Sequence, residues 1–398
     1  MDRSRRTLLF ITGTLLAIGL VMVYSASFVF AERKLDNSRY FLEHHCIYLV
    51  AGCIALVVGA LWDYHSLARH WRWAFGLALL LLAAVLIPGL GTKLNGARRW
   101  FSFGPVTLQP SELCKPLLIL GIAGFAARHK ENLDTFTKGF LPAALLMGIP
   151  VAMIALEPDL GTAGLTFCTL GAMLFAAGVR LRFALPALAL AIPCAVFAAW
   201  SKLDYIQARF NDFMSGTGGD PQGKGYQVHQ ALIAQGSGGI FGKGLGQGHS
   251  KLLFLPESYN DFILAPIGEE LGLLGSLTVV FCFGLFAWQG WKVARRAPDL
   301  LGSLIALGVT MLVCVQAAIN IAVVTKSMPT KGISLPLVSY GGSSLVFLLF
   351  GIGMLLNVAA HTPEEAPPEA VGAVRRPAWW RRWFSAKPRT ESAAGSLA

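Results

Sequence analysis

The chain has 398 residues, of which 55% are apolar and only 14% charged, and its formal net charge is +11. A soluble globular protein carries about 25% charged residues, so the apolar excess must face something other than water, and a bilayer is the only candidate large enough. That excludes a soluble enzyme, a nucleic-acid-binding domain and a disordered chain, although the positive charge alone would suggest nucleic acid.

A hydrocarbon core about 30 Å thick needs about 20 apolar residues per helix. Ten such runs follow one another at 7–30, 42–62, 73–89, 111–127, 140–156, 160–177, 183–200, 261–289, 300–324 and 341–360. A backbone in lipid must close its own hydrogen bonds, so these runs are helices, and the alternating decamers of a barrel are absent. The predicted fold is therefore an all-α polytopic membrane protein with a ten-helix domain over 1–360. Ser25-Ala26-Ser27 imitates a signal-peptide cleavage site, but the first run is much longer than the roughly 7–15 residues of a signal core and reads as a retained span. With the N-terminus inside, Lys and Arg concentrate in the even-numbered connections and the tail, for example Arg69, Arg72, Arg128, Lys130, Lys292, Arg295 and Arg296. This bias puts both termini in the cytoplasm. The longest connection, 201–260, then lies outside between the seventh and eighth helices. All seven cysteines fall in apolar runs with no CxxC, as packing residues do rather than disulfides or zinc ligands.

The outer loop contains Gly218-Gly219-Asp220-Pro221-Gln222-Gly223-Lys224-Gly225. It approaches a phosphate-binding P-loop, but no Ser or Thr follows the lysine and no strand precedes it. The tail 361–398 has a disordered composition. Its Arg375–Phe384 segment mixes cations with tryptophans, a combination suited to membrane lipids.

Ionisable groups in or beside spans are functional candidates, and four stretches carry them. In the first, Arg98, Arg99 and Trp100 precede Glu112 and Lys115, which are three residues apart and hence on one helix face. That pair reads either as self-neutralising or as one wall of a polar cavity. The two arginines would grip phosphates bidentately or meet lipid headgroups, and Trp100 would stack on a sugar or sit in the aromatic belt. In the second, Glu157 and Asp159 share a short connection, Asp159 as a helix N-cap or both as weak ligands for a divalent ion. In the third, Asp261 opens the eighth span, as a helix N-cap or as a general base, and Glu269 lies about 80° round the helix from it, so the two would share a cavity. In the fourth, Lys326, Lys331, Ser339 and Ser343 lead into the last span, whose small residues serve close helix packing or whose N-terminal amides attract an anion, the two lysines favouring the anion.

Taken together these stretches resemble the SEDS family (shape, elongation, division and sporulation), in its FtsW branch. The motifs are NGARRW, QPSE-x-x-K, EPDLGT, DPQG-x-GYQ, GSGG-x-FG-x-GLGQ, LPE-x-x-x-DFI, GEELG and KG-x-x-LP-x-x-SYGGSS, in the family's order over roughly residues 10–360. The resemblance implies a ten-span fold and a peptidoglycan glycosyltransferase of septal wall synthesis in the bacterial inner membrane. It implies lipid II as substrate, undecaprenyl pyrophosphate as leaving group, and a class B penicillin-binding protein transpeptidase and other cell-division proteins as partners. The family's essential carboxylate matches Asp261, the expected general base. Arg98, Arg99, Lys115, Lys326, Lys331 or a divalent cation (Mg²⁺ or Mn²⁺) would meet the pyrophosphate charge; no metal ligands are assigned. A lipid II flippase and a non-enzymatic scaffold for a transpeptidase are the alternatives. Two departures stand out: Asn260 where Thr is common, and Pro266, expected to kink the eighth helix between Asp261 and Glu269.

Overall fold

The computed structural model describes residues 3–94, 97–103, 106–133, 135–179, 183, 224–251, 255 and 258–362. In chain order the helices are α1 (Arg3–Leu35), α2 (Tyr40–Leu61), α3 (Tyr64–Arg69), α4 (Trp71–Leu86), α5 (Pro110–Arg128), α6 (Leu141–Leu156), α7 (Leu160–Ala177), α8 (Lys224–Ser237), α9 (Leu264–Glu270), α10 (Gly272–Arg296), α11 (Leu300–Val324) and α12 (Ser343–Ala360). Between α4 and α5 runs a small antiparallel sheet of β1 (Thr92–Leu94), β2 (Ala97–Phe103) and β3 (Val106–Leu108). Among the described residues eight helices are long and apolar enough to cross a membrane, with α6 extended by a π-helical turn from Phe136, and α4 is a shorter apolar helix. Seven of the predicted runs recur as single helices with ends shifted by a few residues, and 73–89 becomes α4. The run 183–200, beyond Phe183, lies outside the described residues, as do 201–223 and the tail from 363.

The eighth run departs from its single-helix reading. Residues 258–263 form turns, α9 lasts seven residues, and α10 begins afresh at Gly272. The break falls at Gly272, with φ +70°, rather than at Pro266, which sits inside α9. Glycine is the residue that takes this left-handed backbone without strain. A Cβ there would also run into the backbone of Ile240 and Gly242, so the glycine-rich segment lies directly against the break.

The core runs through the centre of the bundle: α5 is buried along nearly all its length, and α11 and α12 along most of theirs. The outward faces of α1, α2 and α10 carry bare Phe, Val, Ile, Leu and Trp, including Phe10, Ile54, Phe281 and Trp288, as helices facing hydrocarbon do. α2 and α12 touch backbone to backbone. A Cβ on Gly59 would stand 2.6 Å from the Phe350 carbonyl oxygen, and one on Gly353 would meet the Leu56 carbonyl. Small residues permit this approach in membrane helices, where packing rather than the hydrophobic effect holds helices together.

At one end of the bundle lie the starts of α2, α5, α7 and α12 and the ends of α1, α6 and α11, with the small sheet beside them. At the other end Asp299 caps α11 through the Gly302 N–H at 2.6 Å and accepts from the Tyr64 hydroxyl at 3.0 Å. His65 joins Asp63 and Asp299 there, at 3.1 and 2.6 Å. Substituting Gly353→Leu overpacks the α2–α12 seam and is expected to destabilise the fold by about 1–3 kcal/mol. Thermal unfolding of the detergent-purified protein checks this; an unchanged midpoint would mean the seam is not closely packed.

Candidate active site

The site end is built around α5. Pro110 occupies its first turn, where a missing N–H is harmless, and brings Glu112 and Lys115 inside. Glu112 Oε2 and Lys115 Nζ are 2.7 Å apart, their side chains only 11% and 4% exposed. Charges this deep are tolerated only when paired and hydrogen-bonded. Ser344 Oγ supplies a 2.5 Å bond to Glu112 Oε2, and Lys115 Nζ donates to Gln316 Oε1 at 3.4 Å. Ser343 Oγ accepts from the Gln109 N–H at 3.2 Å, so the start of α12 is tied to the start of α5.

Asp261 stands half-buried in the turn before α9. Asn320 Nδ2 donates to its backbone carbonyl at 2.7 Å, and a Cβ on Gly332 would lie 3.2 Å from its Oδ2. The Lys331–Ser339 segment therefore runs alongside the carboxylate. Its Lys331 and, upstream, Lys326 are half-buried, while Ser339 Oγ accepts from the Leu335 N–H at 2.9 Å and shapes the turn. The Tyr340 N–H donates to the Tyr259 carbonyl at 3.0 Å, and Phe41 packs on both rings, 4.4 Å from Tyr259 and 5.2 Å from Tyr340. The turn carrying Asp261 thus has an aromatic flank.

Arg99 and Arg98 alternate on β2 and so face opposite sides of the ribbon. Arg99 Nε donates to the Glu157 carbonyl at 2.7 Å, its Nη2 donates to the Pro158 carbonyl, and Nη1 is 3.9 Å from Asp159 Oδ2. The guanidinium thus binds the 157–159 connection. Arg98, its Cα paired with that of Lys93, and Trp100 remain half-buried on the sheet. Asp159 caps α7, accepting from the Thr162 N–H and hydroxyl, each at 3.0 Å. Glu157 is fully buried and neither carboxylate oxygen has a hydrogen-bond partner. Burial, with Asp159 adding to it and Arg99 opposing, pushes its pKa up to about 8. Among the described residues no three His, Cys, Asp or Glu side chains gather as a metal site would need.

Glu269 goes elsewhere than the helical arithmetic placed it, because Asp261 precedes α9 instead of lying on a common helix. Lys243 Nζ donates to Glu269 Oε1 at 2.8 Å, and the His249 and Ser250 N–H groups donate at 2.8 and 3.0 Å. Its neighbour Glu270 accepts from Lys251 at 3.1 Å, the Gly246 N–H at 2.9 Å and Ser25 Oγ at 2.6 Å. The two carboxylates thus pin the glycine-rich segment onto the break between α9 and α10. Sequence reasoning missed Gln316, Asn320, Ser344, Ser25, Lys243 and Lys251. The available signal was a pair of amides one turn apart in an otherwise apolar span, since polar side chains there mark function.

The sequence profile of the FtsW, RodA and SpoVE cell cycle proteins matches residues 6–364. The chain belongs to this family. It is 41% identical over 369 residues to the probable peptidoglycan glycosyltransferase FtsW of Geobacter metallireducens, covering 91% of this chain and 96% of the relative. It is 38% identical over 359 residues to stage V sporulation protein E of Bacillus subtilis, covering 89% and 96%. Among solved structures, the fold matches one describing structural coordination of polymerization and crosslinking by a peptidoglycan synthase complex, with TM-score 0.72 and 27% identity over 89% of this chain and 96% of that one. It also matches the crystal structure of Thermus thermophilus rod shape determining protein RodA, with TM-score 0.64 and 27% identity over 89% and 96%. Family and apolar helices together make it a multi-pass membrane protein of RodA-like fold.

The buried Glu157 has a pH signature. The folded chain holds its proton up to about pH 8, whereas the unfolded chain releases it near the ordinary value of 4.5. Between those values the unfolded state binds fewer protons, so this group lowers stability as pH rises and has no effect below the lower value. Glu157→Gln is expected to gain stability relative to wild type progressively across that window, read as the difference in thermal midpoint. A constant difference from acid to alkaline pH would contradict a neutral Glu157.

Proposed function

We propose that Asp261 is the general base of a glycan polymerisation reaction on lipid II, carried out at the end of the bundle where α5, α9 and α12 begin. Peptidoglycan glycosyltransferase activity comes with membership of the FtsW branch; the roles of individual residues are our reading. The observation that carries it is a carboxylate in a turn at the bundle mouth, beside a loop bearing Lys331 and tied through Gln316 to the buried Glu112–Lys115 pair. Asp261 takes the proton of the acceptor sugar's 4-hydroxyl. That oxygen attacks the donor's anomeric carbon, the bond from this carbon to the pyrophosphate oxygen breaks, and undecaprenyl pyrophosphate leaves. Attack from the opposite face inverts the centre and makes a β-1,4 link. Charge developing on the leaving pyrophosphate calls for cations placed in advance. Lys115, Lys326, Lys331 and Arg98 are the candidates, Arg99 being already bound to the 157–159 connection. Asp159 and the backbone carbonyl of Glu157 hold that connection in place, and Trp100, Ser339 and Ser343 lie at the same end of the bundle. A divalent cation carried in with the pyrophosphate would add to this charge.

We read ten crossings, with α4 and the run at 183–200 joining the eight long helices. Both termini are cytoplasmic, so the Asp261 end faces outward, where a wall polymer is made. The 201–260 segment is then the large outer loop and the tail from 361 a cytoplasmic extension. The fold match to a peptidoglycan synthase complex supports a class B penicillin-binding protein as partner, and the FtsW relatives support the inner membrane at the division septum.

The test is polymerisation of purified lipid II by the detergent-solubilised chain with its partner. General-base catalysis contributes about 10²–10⁴-fold, so Asp261→Asn is expected to lose at least about 10²-fold in rate. Normal polymerisation by that variant removes the base assignment. A wild type that makes no glycan but moves lipid II between leaflets of liposomes would establish a flippase instead.

A further inference from the structure

Span α11 carries two amides, Gln316 and Asn320, one turn apart and almost wholly buried. Neither bonds across to another helix backbone. Asn320 Nδ2 donates to two carbonyls at once, that of Asp261 at 2.7 Å and that of Ile333 at 2.8 Å. Both neighbours are acceptors, so the amide orientation is dictated: turned the other way, its oxygen would face two carbonyl oxygens. Its Oδ1 is left buried without a partner, an expense that packing alone would not select. Gln316 Nε2 donates to the next carbonyl along, that of Ser334, at 3.1 Å, while its Oε1 receives Lys115 Nζ at 3.4 Å. Through consecutive carbonyls of one loop, the two amides join the turn of Asp261 to the Glu112–Lys115 pair. The same loop lays Gly332 against the Asp261 carboxylate.

We propose that Asn320, with Gln316 below it, is a positioning residue that fixes the Asp261 carboxylate relative to Lys115 and the Lys331 loop. This rests on the reading of Asp261 as the base. Side-chain hydrogen bonds inside membrane proteins add little to stability, so the ladder's main effect is on geometry. A displacement of about 1 Å at a reacting group costs up to about 10²-fold in rate. Without the amide, two carbonyl oxygens lie uncompensated beside the carboxylate, which disfavours its charged form.

The experiment is lipid II polymerisation by the full chain with its partner, measured as kcat and KM from acid to alkaline pH for wild type, Asn320→Leu and Asp261→Asn. Asn320→Leu is expected to lower kcat by about tenfold to 10²-fold, leave KM for lipid II nearly unchanged, and move the acid limb of the kcat profile to higher pH. A purely structural loss would scale the profile without moving the limb. If Asn320→Leu keeps the wild-type kcat and limb while Asp261→Asn is inactive, the inference is overturned and the base assignment stands. If Asp261→Asn is itself active, the base reading fails and the inference falls with it. Should Asn320→Leu not fold, Asn320→Ser, smaller and still polar, carries the same test with the same expected directions.

Discussion

An ammonium buried in an apolar helix bundle must be neutralised and hydrogen-bonded where it stands, and the Lys115–Glu112 pair at 2.7 Å is the constraint around which this protein's interior is arranged. Once the pair is inside, its remaining hydrogen-bonding capacity needs partners. Ser344 at the start of α12 and Gln316 on α11 provide them. Three central helices are thereby fixed in register at one end, and the loop between α11 and α12 is drawn over that end by the Gln316 and Asn320 amides. The turn of Asp261 is held in the same set of bonds. The site is a consequence of satisfying buried polar groups where no water can.

A second arrangement of charges does different work a short distance away. Glu269 and Glu270 are consumed by Lys243, Lys251 and the amides of the glycine-rich segment, with Ser25 joining from α1. Their ion pairs fasten the glycine-rich segment to the α9–α10 break. The acidic groups near the site therefore divide into one at the bundle mouth, Asp261, and others committed to structure, Asp159 as a cap and Glu269 and Glu270 as anchors. Burial pushes the pKa of the Glu157 carboxyl up to about 8.

Much of this was legible in the sequence. Apolar runs of about 20 residues locate the helices because lipid permits few alternatives, and α1, α2, α5, α6, α7, α11 and α12 recur within a few residues of their predicted bounds. The spacing of Glu112 and Lys115 gave their pairing, and the N-cap pattern gave Asp159. The break in the eighth run was less legible, since Pro266 was the obvious breaker, yet Gly272 breaks it; proline is accommodated near a helix start whereas a positive φ is not. The partner of Glu269 was hidden because it depends on a loop folding back over many residues. Gln316 and Asn320 stand as two amides in a long apolar run, and their significance lies in which carbonyls they reach, which spacing alone does not show. The small sheet was missed because its strands are short and lie in a connection.

The central claim is that sugar transfer takes place between Asp261 and the Lys115–Glu112 pair. Its most direct test is a structure of the Asp261→Asn variant with its partner and bound lipid II, where turnover is stopped. The donor pyrophosphate is expected on the Lys115 side and the acceptor hydroxyl within hydrogen-bond reach of residue 261. A headgroup bound instead at the opposite end, beside Asp63, His65 and Asp299, would contradict it.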